Sequence, residues 1–238
     1  MQLSLVRPNV ALYLAVILTA AMLLAGPILQ PAGYHAFADE RALSGLANAA
    51  DVLSNLGFLL IGLYGLLHVR PARPAHIMFF AAILMTAFGS SWYHLAPDDT
   101  RLIWDRLPIA LACVSLLAAA LHDAFPARFA PLPTLATLCA LGVASVFWWS
   151  ASGNLGPYLL LQLAPLVLIP VLQWQTGAPL AQRRAFGIAI GLYVLAKLCE
   201  LADGAILGAI HAISGHTLKH MFATLAALVL ARMIARMR

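Results

Sequence analysis

His216 and His220 are four residues apart. On a helix that spacing puts both imidazoles on one face, the arrangement by which a single helix gives two ligands to one metal ion. A third imidazole, His94, would complete the three-histidine set of a catalytic zinc site, which keeps its fourth position open. Ser90 stands four residues before His94, so its hydroxyl shares that residue's face. Asp105 is the carboxylate in the opening turn of the next apolar segment. Zinc lowers the pKa of bound water to about 7, and a carboxylate beside it could take up the proton and return it. The competing use of these residues is haem ligation. His94 with one of the pair could bind a haem axially, whereas two histidines one turn apart on one helix cannot clamp a haem from both sides.

The elements that must position these residues follow from composition. The 238 residues are 63% hydrophobic and only 10% charged, where a soluble domain has about 25% charged residues. With a mean hydropathy of +0.90, this excludes an ordinary cytosolic enzyme, a disordered chain and a small disulfide scaffold. The net charge of +5 sits in short loops, so it reads as a topology signal and not as a nucleic-acid surface. The fold class expected is an all-α membrane protein. Eight apolar runs approach the length needed to span about 30 Å of hydrocarbon. They cover roughly 9–29, 51–69, 75–95, 104–122, 130–150, 155–174, 185–204 and 216–235. The breakers Pro71, Pro74, Pro97, Pro126, Pro131, Gly153, Gly156, Gly177, Pro179, Gly208 and Gly215 fall between or at the ends of them. The first run is read as a retained helix, because it is longer than a signal-peptide core and no small-x-small cleavage site follows.

Lysine and arginine placement sets the orientation. With eight spans and a cytoplasmic N-terminus, the inner segments carry Arg7, Arg70, Arg73, Arg128, Arg183, Arg184, Arg232, Arg236 and Arg238. The outer segments carry only Arg41, Arg101 and Arg106, together with the acids Asp39, Glu40, Asp98 and Asp99. Nine against three places both termini in the cytoplasm. That orientation brings Ser90, His94, Asp105, Asp203, His216 and His220, from four separate helices, into one layer on the extracytoplasmic side. Ionisable residues inside a span are costly and so are functional candidates.

Other polar and aromatic residues have plainer readings. His68, His76 and His122 read as hydrogen-bonded packing residues, and His35 and His211 as loop residues. Lys197 and Glu200 read as an internal ion pair, with Asp203 a candidate support for the site. Asn48 and Asp51 resemble a helix-capping pair, while Ser54 and Asn55, about one turn deeper, hold helices together or brace the site. Trp92, Trp104, Trp148 and Trp149 read as interfacial anchors. Cys113, Cys139 and Cys199 all lie in apolar runs and read as small buried hydrophobes.

The ordered set Ser90-x3-His94, Asp105 and His216-x3-His220 resembles the signature of the alkaline ceramidase and adiponectin-receptor superfamily of membrane hydrolases. The segment Asp51-Val52-Leu53-Ser54-Asn55-Leu56 is similar to the first core helix of the ceramidase branch. The resemblance covers about 48–235. It implies a seven-transmembrane-helix bundle over 51–238, one additional N-terminal transmembrane helix within 1–30, and an extracytoplasmic loop over 31–50. It implies Zn2+ held by His94, His216 and His220, with Ser90 and Asp105 lining the catalytic centre. The implied activity is hydrolysis of the amide of ceramide or a related N-acyl lipid to a sphingoid base and a fatty acid. The partner is then a membrane lipid substrate, and the expected location is a bacterial inner membrane. Eukaryotic ceramidases also share an acidic Ca2+ site just ahead of the first core helix. This chain offers Asp39, Glu40 and Asn48 there, short of a full acidic set, so the resemblance does not carry calcium dependence over.

Overall fold

The computed structural model describes residues 10–69 and 73–237. Arg7, Arg70 and Arg238, which enter the orientation reading, and the breaker Pro71 lie outside the described residues. All regular elements among the described residues are helical. In chain order they are α1 (Val10–Leu24), α2 (Ala49–Ser54), α3 (Leu56–His68), α4 (Pro74–Leu95), α5 (Asp99–Ala124), α6 (Pro131–Ser152), α7 (Gly156–Gln175), α8 (Leu180–Leu201), α9 (Asp203–Ile210) and α10 (Gly215–Ala235).

Among the described residues, six helical segments are long and apolar enough to cross a membrane, counting α2 with α3 as one, and a seventh qualifies if α8 and α9 are taken together. Six or seven such helices make this a multi-pass membrane protein. Two of the eight runs differ from expectation. Among the described residues the first forms the 15-residue helix α1, which by itself is shorter than a hydrocarbon core requires. The seventh forms α8, which breaks at Ala202 and turns through 80° into α9.

Helix boundaries follow local chemistry. Pro74 and Pro131 open α4 and α6, where the missing N–H has no helical partner in any case. Asp98 caps α5 by accepting the Arg101 N–H at 2.7 Å, and Ser214 caps α10 by accepting the Thr217 N–H at 3.1 Å. Gly153 ends α6 with φ 73°, the left-handed conformation that lacks a steric penalty only in glycine. The core runs through α3, α4, α5, α7 and α10, with Phe79, Phe80, Leu172 and Ala231 almost fully buried.

Two glycines let backbones touch where the polar residues gather. A Cβ at Gly89 of α4 would run into the Trp104 carbonyl of α5, so Gly89 allows the contact that sets Ser90 beside Asp105. A Cβ at Gly215 would run into the Cys199 carbonyl of α8, so Gly215 seats the start of α10 against the α8–α9 break. The bend and the glycine together place Asp203 at the first turn of α10.

Several expectations are corrected. Asn48 makes no side-chain cap for α2; its backbone is left-handed (φ 47°) and its amide donates to the His94 carbonyl at 2.7 Å. Trp92, Trp104 and Trp148 are exposed, but Trp149 is 4% exposed and packs under Arg106, whose guanidinium lies 3.9 Å from the ring centroid. Arg106 is therefore a buried residue, also bonded to Gln30 at 2.9 Å, and not a loop charge. Cys199 is buried, while Cys113 and Cys139 are only partly so, and all three are free thiols.

Candidate metal centre

The last turn of α4 and the first turns of α10 meet at one end of the bundle. Ser90 and His94 are each 1% exposed, and His216 and His220 are similarly buried. The three imidazoles form a near-equilateral triangle, with ring centroids 4.8, 5.0 and 4.9 Å apart for the pairs 94–216, 94–220 and 216–220. One ring nitrogen from each lies within 4.8 Å of the other two, so the cluster could hold a metal ion.

The donor set fits such an ion. Nε2 of His94 and Nε2 of His216 are 3.3 Å apart. Tetrahedral zinc with Zn–N bonds of about 2.0–2.1 Å separates its ligands by roughly 3.3–3.4 Å. Two imidazole nitrogens at that distance need a proton or a cation between them. A third ring converges on the same point, a geometry that suits a small ion better than the flat porphyrin of a haem. Nδ1 of His94 is buried with no hydrogen-bond partner among the described residues.

The support around the triangle comes from α2, α9, α10 and the loop before α2. Ser54 of α2 places its Oγ 2.7 Å from Nδ1 of His220, leaving Nε2 free to face the cluster. Asp203 of α9 accepts the His216 backbone N–H at 2.7 Å on one oxygen and the Ala38 N–H at 2.9 Å on the other. Thr217 of α10 donates to the buried Asp51 carboxylate of α2. Asn48 holds the carbonyl of His94. From the loop before α2, the Phe37 ring covers His94 and His216 at centroid distances of 4.6 and 4.4 Å.

That loop is itself pinned. Arg41 grips Asp39 through Nε and Nη2 at 2.7 and 2.6 Å, and also donates to the carbonyls of His211 and Ala212. The Arg41 hydrogen bond holds the Asp39 carboxyl below its ordinary range. His35 bridges Tyr93 and Asp99 at 2.9 and 3.1 Å. Of the three residues considered for a cation site ahead of α2, Asp39 is thus engaged with Arg41 and the amide of Asn48 with the His94 carbonyl, while Glu40 is exposed.

On its other side the triangle opens to a cavity of about 210 Å3. Its polar end carries Ser90, Asp105, Lys219 and His220, and its walls include Phe58, Phe79, Ile83, Phe186 and Leu230. Phe79 lies three turns before Ser90 on α4, so the cavity runs about 16 Å along the bundle. Of the three histidines, His220 is the one that lines it. Asp105 faces Ser90 across the α4–α5 contact.

All five residues singled out by spacing and depth therefore come together at one end of the fold. Lys197 does pair with Glu200, at 2.6 Å, but Lys219 shares the same carboxylate at 2.9 Å. His68 and His122 bond backbone carbonyls, as packing residues do. Phe37 had no signal in the sequence, since a single aromatic in an irregular loop has no period to betray its target. Compared with protein-family models and with curated proteins, the chain matches none of either.

Proposed function

We propose that this protein is a zinc-dependent intramembrane hydrolase that cleaves the amide of an N-acyl lipid, ceramide or a relative, to an amine and a fatty acid. The observation that supports it best is the near-equilateral histidine triangle set beside Ser90 and Asp105 at the polar end of an apolar cavity. A metal ion alone would need only the histidines. A carboxylate, a hydroxyl and an elongated apolar cavity beside them are what hydrolysis of an acyl amide adds.

His94, His216 and His220 would hold the zinc, which when bound supplies Lewis acidity and an acidified water. Asp105 takes a proton at its carboxylate and returns it to the amide nitrogen as that nitrogen leaves. Ser90 donates its hydroxyl to the oxygen on which charge develops. The apolar walls orient the acyl chain so that its carbonyl lies at the polar end. Phe37 and the loop beneath it keep bulk water from that end.

In this reading the core of seven spans covers 51–238, α1 is an additional N-terminal span, and the loop 31–50 lies outside the cytoplasm. We place both termini on the cytoplasmic side from the arginine bias, which is nine to two once the buried Arg106 is set aside, and take a bacterial inner membrane as the location.

Metal analysis of the purified protein tests the first step, with about one zinc per chain expected. A content under about 0.3, not raised by added zinc, overturns the reading. Lipid profiling of cells carrying the wild type or His216→Ala tests the second. The expected result is accumulation of an N-acyl lipid in the variant. Zinc retained without any lipid turnover would make the centre structural and the protein receptor-like, and turnover of an ester would change the substrate bond.

A further inference from the structure

Four helices set the length of the cavity independently. Each of α4, α5, α8 and α10 lines it with a polar residue at the end beside the histidines and a bulky apolar residue at the other. The pairs are Ser90 with Phe79, Asp105 with Leu116, Lys197 with Phe186, and His220 with Leu230. The members stand eleven residues apart on α4, α5 and α8 and ten apart on α10. At 1.5 Å per residue each pair spans about 15–17 Å. In α4 and α8 the apolar member comes first in the chain, and in α5 and α10 it comes second. Helices running in opposite directions thus give the chamber two level ends.

The apolar end is closed. Among the described residues, no lining residue of α4 precedes Phe79 and none of α10 follows Leu230. Past that level Val69, His76, Leu172 and Ile234 are all buried, so the next layer is packed core. The chamber is also narrow. At roughly 30 Å3 for each water-sized group, its volume of about 210 Å3 leaves no room for a second chain beside the first.

An extended chain advances about 1.2 Å per bond, as a stretched polypeptide does over the three bonds of each residue. An acyl chain whose carbonyl lies at the polar end therefore meets Phe79, Leu116, Phe186 and Leu230 after about twelve to fourteen carbons. A lipid entering from the bilayer exchanges one apolar surrounding for another, so fit decides the outcome. A shorter chain leaves a void and forfeits contacts. A longer one must bend back or displace packed side chains.

We infer that the cavity is a ruler for the acyl half of the substrate, a single saturated chain of at most about fourteen carbons, with Phe79, Leu116, Phe186 and Leu230 as the floor that stops longer ones. This rests on the amidase reading for the bond that is cut, but the length limit is a property of binding and is measured separately.

The experiment uses the purified full-length protein in a neutral detergent. Radiolabelled N-dodecanoylethanolamine is displaced by the octanoyl, dodecanoyl, hexadecanoyl and eicosanoyl ethanolamides, and cleavage of each is followed in parallel. The dodecanoyl probe is expected to bind tightest, with the hexadecanoyl and eicosanoyl probes weaker by about tenfold or more. Phe79→Ala lowers the floor and moves the optimum to the hexadecanoyl probe. Ala227 lines the cavity about one turn short of Leu230, so Ala227→Leu raises the floor and moves the optimum to the octanoyl probe. A wild-type optimum at any other length, or none, overturns the ruler, while cleavage of the probes keeps the amidase reading standing. An optimum that neither variant moves also overturns it. The expected order of binding with cleavage of no probe overturns the amidase reading and upholds the ruler. Should Phe79→Ala fail to fold, Leu230→Ala carries the same test.

Discussion

Ser54 Oγ lies 2.7 Å from Nδ1 of His220 while its own hydrogen is directed to the Asp51 carbonyl, also at 2.7 Å. A serine has one proton to give. With that proton on the carbonyl, Nδ1 of His220 must be the donor and Nε2 must carry the lone pair. The serine therefore selects the tautomer that can bind a metal through Nε2, as groups behind metal-ligating histidines generally do.

Ser54→Ala should lower zinc affinity about 10–100-fold, the usual cost of removing such a partner. Competition with a metallochromic chelator reads this directly. Ser54→Thr, which keeps the hydroxyl, should recover most of it.

Asp105→Asn should reduce turnover of an N-acyl lipid by about 10²–10⁴-fold, the range of general acid–base catalysis. Zinc content should stay unchanged, because Asp105 is not one of the clustered nitrogen ligands. Loss of metal along with activity would make Asp105 part of the metal centre.

Gly89→Ala should destabilise the protein by about 1–3 kcal/mol, since the added methyl meets the rigid Trp104 carbonyl and α4 must move off α5. Thermal unfolding in detergent measures the loss. The same movement separates Ser90 from Asp105, so activity of the folded fraction should fall as well.

Asp39 gives the covering loop an acid-sensitive latch. The Arg41 hydrogen bond lowers its carboxyl below the ordinary value of 3.8. A lowered folded-state value means that the ion pair stabilises the loop at neutral pH and above the ordinary carboxylate range. That stabilisation is lost as pH falls through the lowered value. Limited proteolysis between residues 30 and 48 should be slow at pH 7 and accelerate only in strong acid. In Asp39→Asn it should be fast at pH 7, with no acid step.

Phe37→Ala should leave the three ligands in place but uncover two of them. Zinc exchange, followed with a labelled isotope, should speed up several-fold, while equilibrium zinc content changes little.

Residue spacing was enough to set these side chains on shared faces where helical periodicity governs. His216, His220, Ser90 and His94 each rely on the i to i+4 register, and the registers survive in the fold. Asp105 was legible because a carboxylate in an apolar segment is rare. What spacing could not show was the effect of backbone breaks. The turn at Ala202 redirects Asp203 onto α10, and the left-handed Asn48 turns a presumed cap into a bridge to His94. Arg106 and Trp149 were misplaced because each looks like a membrane-surface residue alone. Their cation–π contact, at 3.9 Å, together with the Gln30 hydrogen bond, offsets the cost of burying the arginine. Phe37 and Lys219 depend on which loop covers the histidines and which helix face meets the cavity, and that is fixed by packing.

Asp203 spends one carboxylate oxygen on the start of α10 and the other on Ala38, next to Phe37. Lifting the loop breaks the second bond and frees the carboxylate to shift, which loosens the backbone that carries His216. Uncovering the centre and slackening its grip on the ion are then one equilibrium with two readouts. By linkage, an occupied metal centre favours the closed loop as much as the closed loop favours the metal. Zinc titrated into the stripped protein should protect residues 30–48 from protease in step with its binding.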